Sequence, residues 1–327
     1  MMYLMVAGGL VILLVGGDVL VRGAVALAQR LGVPPLVIGL TVVAFGTSSP
    51  ELVVCVKSAI AGVPEIAIGN VVGSNIANIL LVLGVPAVIF PIACNAESVR
   101  RDSAIMVAVS MLFVALCWTG VIQFWQGAIM LALLIGFLVR SYLSSRNGDQ
   151  TVEAIVDEIE GIAVRPHSMF VSSVLVLVGL VGLVAGSSLL VDGATGLARA
   201  AGIPEEVIGL TLVAIGTSLP ELATSVVAAI RRHGDVAVGN VVGSNLFNIL
   251  GIMGVTAMVR PIPVPDQFLS FDLWLMLASS VVLLLFVLRG ASINRLAGTV
   301  LAVGYAIYLW ALFHGVSAMA DHAAMTG

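Results

Sequence analysis

Residues 39–84 and 209–254 are two copies of one segment. At an offset of 170, GLTVVAFGTSSPELVVCVKSAIAGVPEIAIGNVVGSNIANILLVLG lies on GLTLVAIGTSLPELATSVVAAIRRHGDVAVGNVVGSNLFNILGIMG without a gap, and 26 of 46 positions are identical. Apolar bias alone does not produce that many identities among Gly, Thr, Ser, Pro, Glu and Asn. The chain is a duplication, and its fold must be assembled from two related halves.

Each copy sits in apolar surroundings. The 327 residues are 60% hydrophobic and 10% charged, with a mean hydropathy of +1.16, which is the composition of a polytopic membrane protein. A spanning helix needs roughly 20 mostly apolar residues. That length predicts ten segments, near 3–28, 34–60, 66–92, 103–120, 123–143, 168–198, 204–230, 236–260, 270–289 and 295–318. Several exceed the minimum, which implies tilted or broken helices. The first has no basic leader and no clear cleavage site, and it runs through Gly16, Gly17 and Asp18, so it reads as a helix rather than a signal peptide.

Five segments, an odd number, separate the copies, so the second enters the membrane from the opposite face. Inverted repeats of this kind are a transporter architecture, with sites near the midplane on interrupted helices. The predicted fold is all-α and polytopic, with ten transmembrane helices as two inverted five-helix repeats. The first half is 1–144, a linker covers 145–166, and the second half is 167–327.

The interruptions are visible. Pro50 has no N–H for the carbonyl of Gly46, and Pro220 none for that of Gly216. Backbone oxygens freed at membrane depth must face protein or water, where they can serve as cation ligands. Thr47 and Ser48 precede Glu51 by four and three residues and share its helix face, and Thr217, Ser218 and Glu221 repeat the pattern. The next helix adds Asn70, Ser74 and Asn78 at four-residue spacing, matched by Asn240, Ser244 and Asn248. Asn70 and Asn240, near predicted helix starts, read as caps. Gly69 with Gly73, and Gly239 with Gly243, are small-xxx-small pairs that would admit a close helix neighbour.

The donors in this set are all hard oxygens: two carboxylates, two amides, hydroxyls and carbonyls. Calcium takes 6–8 such oxygens. The absence of nitrogen or thiolate ligands argues against zinc and copper. An acid at the centre of a membrane helix costs about 2.5–3.5 kcal/mol on insertion scales, and packing does not explain that cost incurred twice. Cys55, Cys94 and Cys117 have no disulfide or metal spacing. His167, His233, His314 and His322 lie at helix ends. Glu153, Asp157, Glu158 and Glu160 suit a solvated linker, without a calcium-loop pattern. No nucleophile, cofactor or nucleic-acid motif is present, so no enzyme, no resident cofactor and no nucleic-acid partner is expected.

Charge bias sets the orientation. Counted on alternating sides of the segments, 11 of the 14 basic residues fall on one side. Lys57, Arg199 and Arg260 fall on the other. Removing Arg22 and Lys57, which lie within segments, leaves 10 against 2. The excess marks the linker as cytoplasmic and both termini as outside, in a plasma-membrane protein.

The motifs GTSSPE with GNVVGSNIAN, and GTSLPE with GNVVGSNLFN, resemble the alpha-repeats of the cation/calcium exchanger superfamily, most nearly its prokaryotic sodium/calcium exchangers. The resemblance implies that Glu51 and Glu221 are the central calcium acids. It also implies that Thr47, Ser48, Ser74, Asn78, Thr217, Ser218, Ser244 and Asn248 complete one calcium and several sodium sites. Some prokaryotic exchangers, and the potassium-dependent branch, carry Asp where this chain has Asn248. The expected activity is K⁺-independent exchange of Ca²⁺ for Na⁺ by alternating access, performed by a monomer. Proton-coupled calcium exchange is the alternative. Its representatives carry an acid in a Gly-Asn-x-x-Glu motif, where this chain reads GNVVGSN. A passive channel is a third reading, less suited to two broken-helix repeats around one site.

Overall fold

The computed structural model describes residues 2–31, 39–62, 64–94, 97–146, 168–200, 214–266 and 268–326. The linker acids lie outside the described residues. The chain is mostly helical. Seven helices among the described residues are long and apolar enough to cross a membrane: Met2–Leu31, Glu65–Ile89, Phe124–Ser141, Met169–Leu190, Val236–Val259, Phe268–Leu288 and Arg295–Leu312. The expected segments 34–60 and 204–230 fall partly outside the described residues and are broken within them. The expected 103–120 segment is a helix, Glu97–Cys117, whose first turns carry Glu97, Arg100, Arg101 and Asp102.

The helices, in chain order, are α1 (Met2–Leu31), α2 (Ala44–Thr47), α3 (Ser49–Ala61), α4 (Glu65–Ala77), α5 (Gly84–Ile89), α6 (Glu97–Cys117) and α7 (Phe124–Arg146). They continue with α8 (Met169–Ala200), α9 (Ala214–Thr217), α10 (Leu219–Ile230), α11 (Gly234–Leu246), α12 (Gly254–Val259), α13 (Leu273–Leu288) and α14 (Arg295–Thr326). Among the described residues, four π-helical stretches interrupt them: Gly39–Val43, Asn78–Val82, Phe247–Met253 and Phe268–Asp272.

The two helices that carry the duplicated GNVVGSN motif form the interior. In the apolar window of Glu65–Ile89 72% of residues are buried, and in that of Val236–Val259 83%. Asn75, Asn78, Asn245 and Asn248 point inward from them, buried among Val71, Ile76, Val241 and Ile249. Short antiparallel pairings join segments between helices: Val121–Ile122 with Ile262–Pro263, and Ile92 with Ile293.

Outside it, α1 and α8 pack along each other. Glycines at seven-residue spacing make this approach close: Gly9, Gly16 and Gly23 on α1, and Gly179, Gly186 and Gly193 on α8. A Cβ at Gly16 would stand 3.0 Å from the Leu183 nitrogen, and one at Gly186 2.8 Å from the Leu13 nitrogen. Gly9 faces Leu190, Gly16 faces Leu183 and Gly23 faces Val176, so the helices run antiparallel. The two glycine sets are themselves 170 residues apart, which extends the duplication beyond 39–84. Both helices leave their far faces exposed, with Leu10, Val15, Leu177 and Val181 outermost. Such a surface suits lipid.

Candidate cation-binding site

Each GTSxPE motif breaks its helix at the serine. Ser48 leaves helical geometry at φ −86° and ψ 7°, and Ser218 at φ −88° and ψ 2°. Pro50 and Pro220 then occupy the first turn of α3 and α10, where their missing N–H removes no helical bond. Glu51 and Glu221 fall in the same first turns. Their carboxylates therefore sit at helix N-termini, where the backbone dipole favours negative charge.

Both acids are 1% exposed, and they lie close enough to each other to interact as like charges. Each has a hydroxyl partner from the opposite half. The Ser48 hydroxyl donates to Glu221 Oε1 at 2.8 Å, and Thr217 reaches Glu51. Thr47 Oγ1 lies 3.1 Å from the Val43 carbonyl and 3.3 Å from Asn240 Oδ1. The spacing assumed one continuous helix, but the break at Ser48 puts Thr47 on α2 and Glu51 on α3, and the Ser48 hydroxyl serves the other repeat.

Asn70 and Asn240 are not caps. They lie in the middle of α4 and α11 and tie the motifs together. Asn240 donates to Ser225 Oγ at 3.3 Å and to the Glu221 carbonyl at 3.4 Å. Asn70 donates to Cys55 Sγ at 3.3 Å, and Cys55 is the repeat mate of Ser225. Cys55 is thus buried as expected but also accepts a bond.

Among the described residues, the close helix neighbour expected at Gly69 and Gly73 is not found. A Cβ at Gly69 would meet only the Phe268 ring, at 3.5 Å, and one at Gly73 would meet nothing within 4 Å. Gly46 is the tight one: a Cβ there would strike the Leu180 side chain of α8. Gly216 is also buried.

Asn78 and Asn248 both begin π-helical turns or lie in their first residues, and π-turns recur at functional sites. Ser74, Ser244, Asn78 and Asn248 are buried, and Ser244 lies beside Glu221. Six side-chain oxygens of the predicted set have no hydrogen-bond partner although they are fully buried: Glu51 Oε2, Glu221 Oε2, Asn78 Oδ1, Asn248 Oδ1, Ser218 Oγ and Ser244 Oγ. A buried oxygen without a partner is costly. Six such oxygens, contributed by both halves, are what a bare hard cation would satisfy.

Sequence reasoning missed four buried residues. Asn75 and Asn245 bond across the halves, and their identity in the two copies was the available signal. Asp102 and Asp272 are also repeat mates, at the same 170-residue offset. Asp102 pairs with Arg101, and Asp272 accepts from the Tyr308 hydroxyl at 3.1 Å. They lie beyond the aligned segment, which is why the duplication did not reveal them.

This geometry agrees with what the chain is similar to. A family model described as sodium/calcium exchanger protein matches residues 1–143 and 171–314. The putative antiporter CaxA of Alkalimonas amylolytica is 36% identical over 93% of this chain and 96% of its own length. The sodium/calcium exchanger MaX1 of Methanosarcina acetivorans is 34% identical over 95% of this chain and 98% of its own. A solved structure of the sodium-calcium exchanger NCX_Mj, soaked with 2.5 mM Na⁺ and 0.1 mM Ca²⁺, matches with a TM-score of 0.80 at 33% identity, over 93% of this chain and 96% of that one. The chain belongs to the sodium/calcium exchanger family, a family of membrane ion transporters.

Proposed function

We propose that this chain exchanges Ca²⁺ for Na⁺ across the plasma membrane by alternating access, without requiring K⁺. The observation that carries this reading is the set of six buried, unpartnered oxygens around Glu51 and Glu221. Two carboxylates supply a charge of about −2, which one Ca²⁺ or two Na⁺ neutralise at a depth where net charge is costly. Thr47, Ser48, Ser74 and Thr217, with the carbonyls of Gly46 and Gly216, complete an all-oxygen shell suited to these hard ions. The GNVVGSN helices add no acid to carry a proton.

The antiparallel course of α1 and α8, which are repeat mates, supports two inverted five-helix halves. With ten crossings, the basic residues place the 145–166 linker in the cytoplasm and both termini outside. A monomer contains the whole site, since both halves of the shell come from one chain.

The test is uptake of radiolabelled calcium into proteoliposomes loaded in turn with Na⁺, K⁺ or a proton gradient. Uptake driven by Na⁺ alone is the expected result. Uptake driven by the proton gradient and indifferent to Na⁺ would replace this reading with proton coupling. Orientation is checked separately: Thr151→Cys, in a background without native cysteines, should react with impermeant reagents only from the cytoplasm.

A further inference from the structure

We propose that Asn245 is a positioning residue that fixes which end of the Asn78 amide faces the transported cation. An amide at a cation site is ambiguous. Its oxygen attracts the ion and its NH₂ repels it, and the two ends have nearly the same shape. Something has to select the oxygen.

The selection can be traced through three groups. The backbone carbonyl of Asn75 can only accept. Asn245 Nδ2 points at it, at 3.5 Å, and lies 3.5 Å from the Met106 sulfur, also an acceptor. The nitrogen of Asn245 is therefore committed to that side, and its Oδ1 is left facing Asn78. Asn78 Nδ2 donates to that oxygen at 2.9 Å. The remaining end of Asn78, Oδ1, is buried and without a partner, facing away from Asn245. Asn245 belongs to α11 and Asn78 to the first half, so the second half sets the ligand of the first.

The matching arrangement in the other direction is absent among the described residues. Asn75, the repeat mate of Asn245, donates to the Val71 carbonyl of its own helix at 2.6 Å, and its Oδ1 accepts nothing. Asn248 is thus not oriented by Asn75 as Asn78 is by Asn245. The duplication supplies four asparagines and uses them unequally.

The inference rests on the proposed site and is tested alongside it. Sodium-driven calcium uptake is measured in proteoliposomes for the wild type, Asn245→Leu, Asn245→Asp, Asn78→Ala, the Asn245→Leu/Asn78→Ala double variant and Glu221→Gln. Leucine keeps the volume but offers Asn78 no acceptor, so its amide is free to turn its NH₂ to the ion. The half-saturating calcium concentration should rise about tenfold, the loss of roughly one good ligand contact, with the maximal rate within about twofold. Asn245→Asp keeps the acceptor and should keep calcium affinity at or above the wild-type level. The double variant should be no worse than Asn78→Ala alone, because Asn245 acts through Asn78. Should the leucine variant not insert, Asn245→Ala carries the same comparison.

Equal losses for leucine and aspartate, or additive losses in the double variant, would overturn the positioning role. Robust exchange by Glu221→Gln would overturn the site itself, a separate outcome.

Discussion

Helices α3 and α10 begin with the same motif and end in different surroundings. On α10, Ala223 and Val227 are 7% and 8% exposed. Their mates on α3 are Val53, 49% exposed, and Lys57, also exposed. The difference is α1. It lies along α10 so closely that a Cβ at Gly17 would stand 3.3 Å from the Ala223 backbone, and Asp18 pairs with Arg231 just past the end of α10. The mates of Asp18 and Arg231 are Ser188 and Ala61, which cannot form such a pair. The inner faces of the two helices are nearly identical and equally buried, while the outer faces share neither sequence nor cover. The halves are alike where they face each other and differ where they meet the rest of the protein.

The comparison is broken most directly at the acids. If the inner faces are equivalent, Glu51→Gln and Glu221→Gln should each lower calcium exchange to below roughly one hundredth of wild type, equivalent to about 3 kcal/mol, with insertion preserved. Glu153→Gln in the linker should leave it within about twofold. Exchange that survives either site change would show that one copy is dispensable.

Next in size is the glycine seam. Gly186→Val would place atoms where a Cβ already meets the Leu13 backbone at 2.8 Å, and should destabilise the folded protein by about 1–3 kcal/mol. Gly73→Ala meets nothing among the described residues and should stay within about 0.5 kcal/mol. Thermal denaturation in detergent compares the two.

The ion pair sharpens the outer-face contrast. Asp18 and Arg231 are partly exposed, at 31% and 22%, so the pair is worth about 1 kcal/mol or less. Asp18→Asn should therefore raise thiol labelling of Val227→Cys up to about fivefold and leave labelling of Val53→Cys unchanged. Equal rises at both positions would mean that α1 does not cover α10 selectively.

Smallest is potassium. Both halves end their polar face in an amide, Asn78 and Asn248, so an added K⁺ would bring charge that nothing offsets. Replacing K⁺ by choline on both sides should change sodium-driven calcium flux by less than about twofold. Asn248→Asp, which makes the halves unequal, should make that flux sensitive to K⁺.

The duplication, the broken helices and the buried acids were legible because each leaves a local mark: repeated letters, a proline after a glycine, a carboxylate among apolar residues. The crossing bonds were not. Spacing places Ser48 on the face of Glu51 but cannot say that the nearest carboxylate belongs to Glu221. Asn240 looked like a cap because capping depends on where the helix begins, and α11 begins earlier, at Gly234. Asn75 and Asn245 were hidden by an ordinary preference, since a lone asparagine in a membrane helix is explained by any neighbouring carbonyl. Lys57 seemed misplaced within an apolar run, and the exposed face of α3 accounts for it.

The π-turns at Asn78–Val82 and Phe247–Met253 carry a consequence for ancestry. A π-turn spends one residue more per turn than an α-turn, so a helix with one contains a residue that the straight helix would not need. Both turns fall within an alignment that has no gap, and both include the mated asparagines. The extra residue was therefore already present in the single unit that was copied. A single unit of that kind carries one glutamate and one set of these hydroxyls and amides, so it could build the proposed site only by pairing with a second copy. The fusion of two such units into one chain removed the need to meet, and only afterwards could Asn75 and Asn245 take up different work.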